Sequence, residues 1–596
     1  MPIYFSSKTS RRMTVEAAMG RADADVLLHN GMIVNVYTRE ICEGDVSIIG
    51  DRIACVGDVQ NAVGKNTRVI DIHRKYIVPG LLDGHIHPES TMLTLTELAK
   101  ALLPHGTAGI LADMHEIANV LGLRGLRLFM NEAQTLPLKI FVAVPSSVPI
   151  CSAQIEIPAN KLGLNDVKQL LNSDLAISLG EVLNVREVLE GNPQVHRKIE
   201  AALSRGKIVD GNAPGLRGRE LDAYIAAGIQ HDHEAVTKEE GLERLRKGMW
   251  LMFREGSSER NMEELTRIMR DAKIDPRHCC FATDDKDAHD LIAEGHMDHC
   301  VRKAILNGVD PITALQMATL NCAEYMGVDR EMGAIAPGKI ANMVAVKDLN
   351  DFKPSEVFLN GVLVAKDGIC LVNLPKSRYP NWAVHTFKIK PSICSGDLTI
   401  QGPRNDTAKV RVIDVSEGTI LSTERIEEMP VQGKELKSNV EMDVLKLCVV
   451  ERHGKSSSRA IGKGFIKGFG LKKGALSSSV AHDTHNIIVV GTDDADMAFA
   501  INAVIKMEGG LTVVSGGRIH ASQPLTLGGI VSVDSIQNVA ENMMRIESSA
   551  RDLGSRIARP FMVLSFQSSS SIPELKLTTR GLVDVDSMKL VPLIVN

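Results

Sequence analysis

The chain is predicted to be an α/β protein: a (β/α)8, TIM-like barrel with a small composite β domain and a C-terminal α/β domain. Three observations predict this. Between Leu81 and Gly333, eight short apolar runs alternate with amphipathic stretches, each run ending in polar or ionisable residues. Two β-rich stretches flank that repeat, and residues 391–596 follow with strands and helices of their own. At 596 residues the chain is too long for one hydrophobic core.

The elements follow in order. In 1–80, the runs DVLLHNGMIVNVY and GDVSIIGDRIACVGD alternate with Asn-Gly and Gly-Asp turns, which reads as a β meander. In 81–335, the candidate strands are those around GHIHPES, GTAGILADMHE, KIFVAVPSSVP, DLAISLGEVLN, GKIVDGNAPG, AGIQHDHEAV, WLMFREGS and HCCFATDDKD. Between them, RELDAYIAAG places Leu221 and Ile225 on one helix face, with Gly228 closing it. Thr237 and Glu240 have capping-box spacing, and Asn261 with Glu264 is expected to open the next helix likewise. In 336–390, IANMVAVKD and SEVFLNGVLVAKDG, with an Asn360–Gly361 turn, return to complete the small β domain. In 391–596, GTDDADM reads as a helix N-terminus and Ser565–Glu574 as a polar loop. The segment Ala481–Asn486 (AHDTHN) either reaches over the barrel mouth or binds itself as a turn.

Composition narrows the function classes. A formal charge of -5 and a pI of about 6.4 exclude an electrostatic nucleic-acid binder. No stretch approaches the ~20 apolar residues that span a bilayer. The N-terminal MPIYFSSKTSRRMTVEAAMG lacks the apolar centre of a secretory signal. Ten scattered cysteines without a CxxC pair fit a reducing compartment, so a cytoplasmic location is expected.

The chemistry lies at the strand ends, where barrel enzymes collect their functional groups. His85 and His87, one residue apart on a strand, share a face and form half of a ligand set for a divalent ion. Successive strand ends add Asp113, His115 and Glu116, then Glu181, Asn212, His233 with Glu234, and Asp284 with Asp285. So many imidazoles and carboxylates at one end of consecutive apolar strands point to a metal.

PGLLDGHIHPES, ADMHEIANV, SLGEVLN, VDGNAPGL, HDHE, FATDDK and the tail SSVAHDTHNIIVVGTDDADMA resemble the bacterial adenine deaminases of the metal-dependent amidohydrolase superfamily. The resemblance implies that His85, His87, Glu181, His233 and Asp284 hold one or two divalent ions, with Glu181 bridging. It favours iron(II) or manganese(II), with zinc(II) admitted by the same donors. It also implies that Asp284 takes a proton from the attacking water and passes it to the departing amine. Glu234 would protonate the ring nitrogen, while Glu89, Asp113, His115 and His482 bind substrate. The substrate is a small molecule, adenine, rather than a nucleic acid, and neither a membrane nor a nucleic acid is an expected partner. Self-association is expected by analogy with barrel enzymes of this size.

The chain departs from the family pattern in one place. Asn212 occupies a position that usually carries a histidine ligand, and an amide is a poorer donor to a transition metal. The second ion position is then weak, empty, or helped by a neighbour such as His231. Asn342, where relatives often carry aspartate, is expected to affect structure only. Two other readings stay open. One is a cyclic amidohydrolase of the dihydroorotase or hydantoinase type, although Glu181 stands where those enzymes carry a carbamylated lysine. The other is a metal-poor paralogue without turnover.

Overall fold

The computed structural model describes residues 9–59, 62–257, 259–390, 392–416, 421–456 and 459–595. The first part of the N-terminal segment read as a non-signal, Met1–Lys8, therefore lies outside the described residues, as does Asn596.

The eight expected strands all form: β1 (Leu81–Ile86), β2 (Thr107–Asp113), β3 (Lys139–Val144), β4 (Ala176–Val182), β5 (Ile208–Gly211), β6 (His231–Asp232), β7 (Trp250–Arg254) and β8 (Cys279–Ala282). β1 to β5 pair in parallel and in sequence order, and β6 to β8 do the same. The two arcs meet where the Gln230 N–H donates to the Val209 carbonyl at 3.0 Å. At the other join, the Asp284 N–H donates to the His85 carbonyl (3.0 Å) and the His87 N–H to the Asp284 carbonyl (3.2 Å). Residues along β3 alternate between two apolar clusters, Ile140, Val142 and Val144 entering one and Phe141 and Ala143 the other. That two-sided burial is why these strands read as continuous apolar runs.

The flanking β segments build one sheet. Tyr76–Pro79 runs antiparallel to Met343–Val346 and joins the N-terminal strands to the returning ones. Asn360 and Gly361 have φ of 52° and 78°, as a two-residue hairpin turn requires. Asn30–Gly31, expected as a turn, instead lies inside the strand Val26–Asn35 as a bulge, where the register to its neighbour shifts. Asn342 is structural, its Oδ1 accepting the Asn360 N–H at 2.8 Å.

The C-terminal unit holds an eleven-stranded, largely antiparallel sheet, against which the helices Asp494–Lys506 and Ile536–Asp552 pack. Asp493 caps the first of these helices through the Ala495 and Asp496 N–H groups, as GTDDADM suggested. Leu447, Val449, Ile488 and Val490 of this sheet share one continuous apolar cluster with barrel residues Ile110, Ala112 and Val142. Ser565–Glu574 runs from a helix end through the 3-10 turn Phe566–Ser568 into the expected polar loop, much of it buried. Ser565, Gln567, Ser568 and Ser569 are buried, their polar atoms bonding locally and to the AHDTHN segment. Among the described residues, no helix is long and apolar enough to cross a membrane.

Candidate active site

The ends of β1, β4 and β8 bring four of the expected side chains into one buried cluster, which β6 joins through a fifth. His85 Nε2 lies 3.1 Å from His87 Nε2, 3.1 Å from Glu181 Oε1 and 3.8 Å from Asp284 Oδ1. His87 Nε2 lies 3.8 Å from the same Glu181 oxygen and 3.2 Å from the same Asp284 oxygen. Ligand atoms held about 2.1 Å from a tetrahedral ion sit roughly 3.4 Å apart, so this spacing suits a single divalent cation. The tautomer suits it as well. His87 Nδ1–H donates to the Asp113 carbonyl at 3.0 Å, which leaves the Nε2 lone pair facing the cluster. His233, the fifth expected ligand, is fully buried with its Nε2 2.9 Å from Glu181 Oε1.

The electrostatics favour bound positive charge. Burial alone raises the Glu181 carboxyl pKa, but His85 and His87 outweigh it and hold the group well below the usual range. Burial likewise opposes ionisation of Asp284, and the Arg254 guanidinium with His87 overcomes it. For His87, burial is offset by Glu181 and Asp284, so its pKa rises well above that of ordinary imidazole.

His231 does not point its donor atom at the ions' space. Tyr325 OH donates to Asp210 Oδ1 and accepts from His231 Nδ1 at 2.6 Å. His231 Nε2 then accepts from His233 Nδ1 at 3.4 Å, and His233 Nε2 keeps its lone pair for the cluster. The chain Asp210–Tyr325–His231–His233 therefore sets a ligating tautomer, and His231 is spent in doing so.

Arg254, at the end of β7, was not singled out from the sequence. Its Nη1 donates to Glu234 Oε1 (3.0 Å) and Asp284 Oδ2 (2.7 Å), and its Nη2 to Glu234 Oε2 (3.2 Å). The only signal was one charged residue closing the apolar run WLMFR. Burial raises the Glu234 pKa, yet Arg254 outweighs it and the carboxyl is lowered. Glu234 is thus gripped through both oxygens by the Arg254 guanidinium, beside Asp284. Asn261 also differs from expectation. It makes no side-chain cap; its Oδ1 accepts the Arg254 N–H (2.7 Å) and its Nδ2 donates to the His233 and Ala235 carbonyls (3.0 and 2.9 Å). Thr237 and Glu240 do form the expected capping box.

Of the four expected substrate contacts, His115 and His482 line the cavity above the cluster, together with Glu234, Arg254 and Asn212. Asp113 and Glu89 do not line it. Asp113 Oδ2 accepts the Glu181 N–H at 2.9 Å, behind the ligand, and Glu89 Oε1 accepts the Ile117 N–H at 2.9 Å. Gly180 permits the first contact, since a Cβ there would fall 2.3 Å from Asp113 Oδ2.

The C-terminal unit supplies the opposite wall. AHDTHN joins two neighbouring strands, Ala475–Ser478 and Ile487–Gly491, and its tip reaches the barrel. Glu116, at the start of the helix after β2, accepts from His482 Nδ1 with one oxygen and from His485 Nε2 with the other. The Ala481 N–H donates to His485 Nδ1 at 3.2 Å, so the Nε2 of that ring must carry the proton. Glu116, His482 and His485 are thus a proton-held strut rather than a metal site. Phe566 stacks on His482 with ring centroids 4.6 Å apart, and Asp483, Ser569, Ile572 and Pro573 complete the wall. Neither Phe566 nor the serines carried a pattern that composition could have marked.

Comparison with known proteins matches residues 76–364 to the amidohydrolase family and residues 419–589 to the adenine deaminase C-terminal domain. An adenine deaminase of Dehalococcoides mccartyi is 42% identical over 585 residues, covering 98% of this chain and 99% of that protein. One from Clostridium botulinum is 38% identical over 596 residues, covering 100% and 98%. One from Moorella thermoacetica is 40% identical over 585 residues, covering 98% of each. Matched along nearly its whole length, the chain belongs to the adenine deaminase family.

Proposed function

We propose that the chain hydrolyses adenine to hypoxanthine and ammonia, with His85, His87, Glu181, His233 and Asp284 holding iron(II) or manganese(II), zinc(II) being the third candidate. The four donor atoms spaced 3.1–3.8 Å apart carry this reading. When bound, a divalent ion supplies Lewis acidity that makes a water acidic enough to serve as nucleophile near neutral pH. Asp284 accepts the proton of that water as its oxygen bonds to C6 of the purine, and delivers it to the exocyclic nitrogen as the C6–N bond breaks. Glu234 and Arg254 hold the position of Asp284. His115 offers the ring nitrogens a donor from the cavity wall, its Nε2 3.4 Å from Glu116 and its Nδ1 3.4 Å from Asp113. Phe566, stacked on His482, adds an apolar ring to the cavity wall.

The same reading takes 81–335 as the catalytic barrel, 1–80 with 336–390 as the small β domain, and 391–596 as the covering domain. A cytoplasmic location fits ten cysteines without a disulfide, and self-association fits the size of the chain. Asp284→Asn tests the mechanism: ammonia release from adenine should fall by about a thousandfold or more, with the thermal melt of a folded protein retained. Near-normal release in that variant, or ring opening of hydantoins in place of ammonia release by the wild type, would overturn the reading.

A further inference from the structure

The AHDTHN hairpin brings one more ionisable group to the cavity than the proposed reaction uses. Asp483 is buried and lines the cavity, in the wall supplied by the C-terminal unit. Ser569 Oγ donates to its Oδ2 at 3.3 Å, and Oδ1 has His115 Nε2 as its nearest cationic neighbour, 4.0 Å away. Among the described residues, no lysine or arginine forms an ion pair with it. Burial and then the Glu116 carboxylate push its pKa up to about 6, which leaves it ionised at neutral pH. A buried carboxylate without a hydrogen-bonded counter-charge is unfavourable, so a donor from the ligand has an acceptor waiting there.

His115 stands beside it with a donor of its own. Its Nε2 lies 3.4 Å from Glu116 Oε1, but His482 and His485 already bond the two Glu116 oxygens. The wall therefore carries a donor and an acceptor 4.0 Å apart. Adenine has the complementary edge. In the six-membered ring N3 lies opposite C6, and N9–H lies beside N3, so a base with C6 at the donor cluster turns this edge away from the cluster. N3 accepts and N9–H donates, and in-plane partners for two such atoms stand about 3.5 Å apart.

We propose that Asp483 restricts the site to free bases: its Oδ1 accepts the purine N9–H while His115 Nε2 serves N3, so 6-aminopurines substituted at N9 are rejected. The inference rests on the proposed function, which sets C6 at the cluster. The rejection is chemical before it is steric. A substituent on N9 removes the N–H and leaves the buried carboxylate unpaired, and a site built around such a bond discriminates by about 10⁴-fold. Phe566, Ile572 and Pro573 stand in the same wall, and their side chains have nothing to bond a ribose hydroxyl in exchange. The barrel then supplies the chemistry, and the C-terminal unit selects what undergoes it.

Full-length protein carrying its metal is assayed for ammonia release from adenine, and calorimetry gives the dissociation constants of hypoxanthine and 9-methylhypoxanthine. The wild type should bind hypoxanthine at least about a hundredfold more tightly than its 9-methyl derivative. Asp483→Ala should lower kcat/KM for adenine by about a hundredfold, chiefly through KM, and bring the two dissociation constants within about threefold of each other. Asp483→Asn, which keeps the shape of the side chain, should give an intermediate ratio, because a neutral amide oxygen accepts more weakly than a carboxylate. A merely structural role for Asp483 would weaken both ligands alike and preserve their ratio. The proposal is overturned if the wild type binds the two alike, or if the wild-type ratio persists in either variant. Wild-type protein that releases no ammonia from adenine would instead sink the proposed function.

Discussion

Arg254 is the residue on which both carboxylates of the reaction centre depend. Replacing it with methionine leaves Glu234 and Asp284 facing each other without a counter-charge in a buried cleft. Turnover should then fall by about a hundredfold or more while metal content holds or rises, because a competing cation has gone. Arg254→Lys should recover only part of the loss, since an ammonium cannot grip Glu234 with two coplanar donors. A variant that lost metal and melting temperature together would show a merely structural role. The convergence of His85 and His87 was legible in the sequence, because alternation on a strand puts both on one face, whereas Glu181, His233 and Asp284 joined them only through the family resemblance. The second tier was not legible. Asp113 closes its strand and Glu89 lies in the short 3-10 helix Pro88–Thr91; the Glu181 and Ile117 N–H groups each bond one of their carboxylate oxygens, and such backbone contacts leave no trace in residue spacing.

Among the elements, the AHDTHN hairpin carries the most consequence for the cavity. Its two imidazoles hang on one carboxylate, so Glu116→Gln leaves a buried cationic group short of its partner, at a cost of about 3 kcal/mol. The hairpin should loosen, which hydrogen exchange over residues 481–486 would show, and KM for adenine should rise severalfold as His482 and Asp483 drift. Unchanged exchange there would contradict the tethering role. The barrel strands were readable because most are short apolar runs bounded by turn signals, the sixth narrowing to His231–Asp232. Asn261 misled because a cap and a cross-strand clamp use the same amide, and only tertiary neighbours decide between them. The serine run reads from composition as a polar loop and no further; hydroxyls bonded to the Met562 and His482 carbonyls bury as readily as apolar groups.

At the scale of the whole molecule, one apolar cluster runs from the barrel strands into the C-terminal sheet, so the two parts should unfold together rather than in separate steps. A titration should report on that interior. Burial pushes the Lys576 ammonium down to about 7. An unfolded lysine titrates near ~10.4, so between about 7 and about 10 the unfolded chain holds a proton that the native one lacks. Stability should therefore rise with pH across that window. Lys576→Met should flatten the rise and raise the melting temperature at pH 7, as denaturant titrations from pH 7 to about 9.5 would show. A slope unchanged in the variant would place its origin elsewhere.

Asp284 sits in left-handed backbone geometry, at a φ of 56°, on the join between the eighth strand and the first. A non-glycine residue kept there costs about 1–3 kcal/mol, met by the hydrogen bonds it exchanges with His85 and His87. Its carboxylate and the two imidazoles straddle the gap in the hoop, so whatever cation they clasp also acts as a rivet there. Stripping it out should not slacken every stave alike. The ring should part at its join, with the amides of 85–90 and 284–287 exchanging ahead of the rest of the barrel.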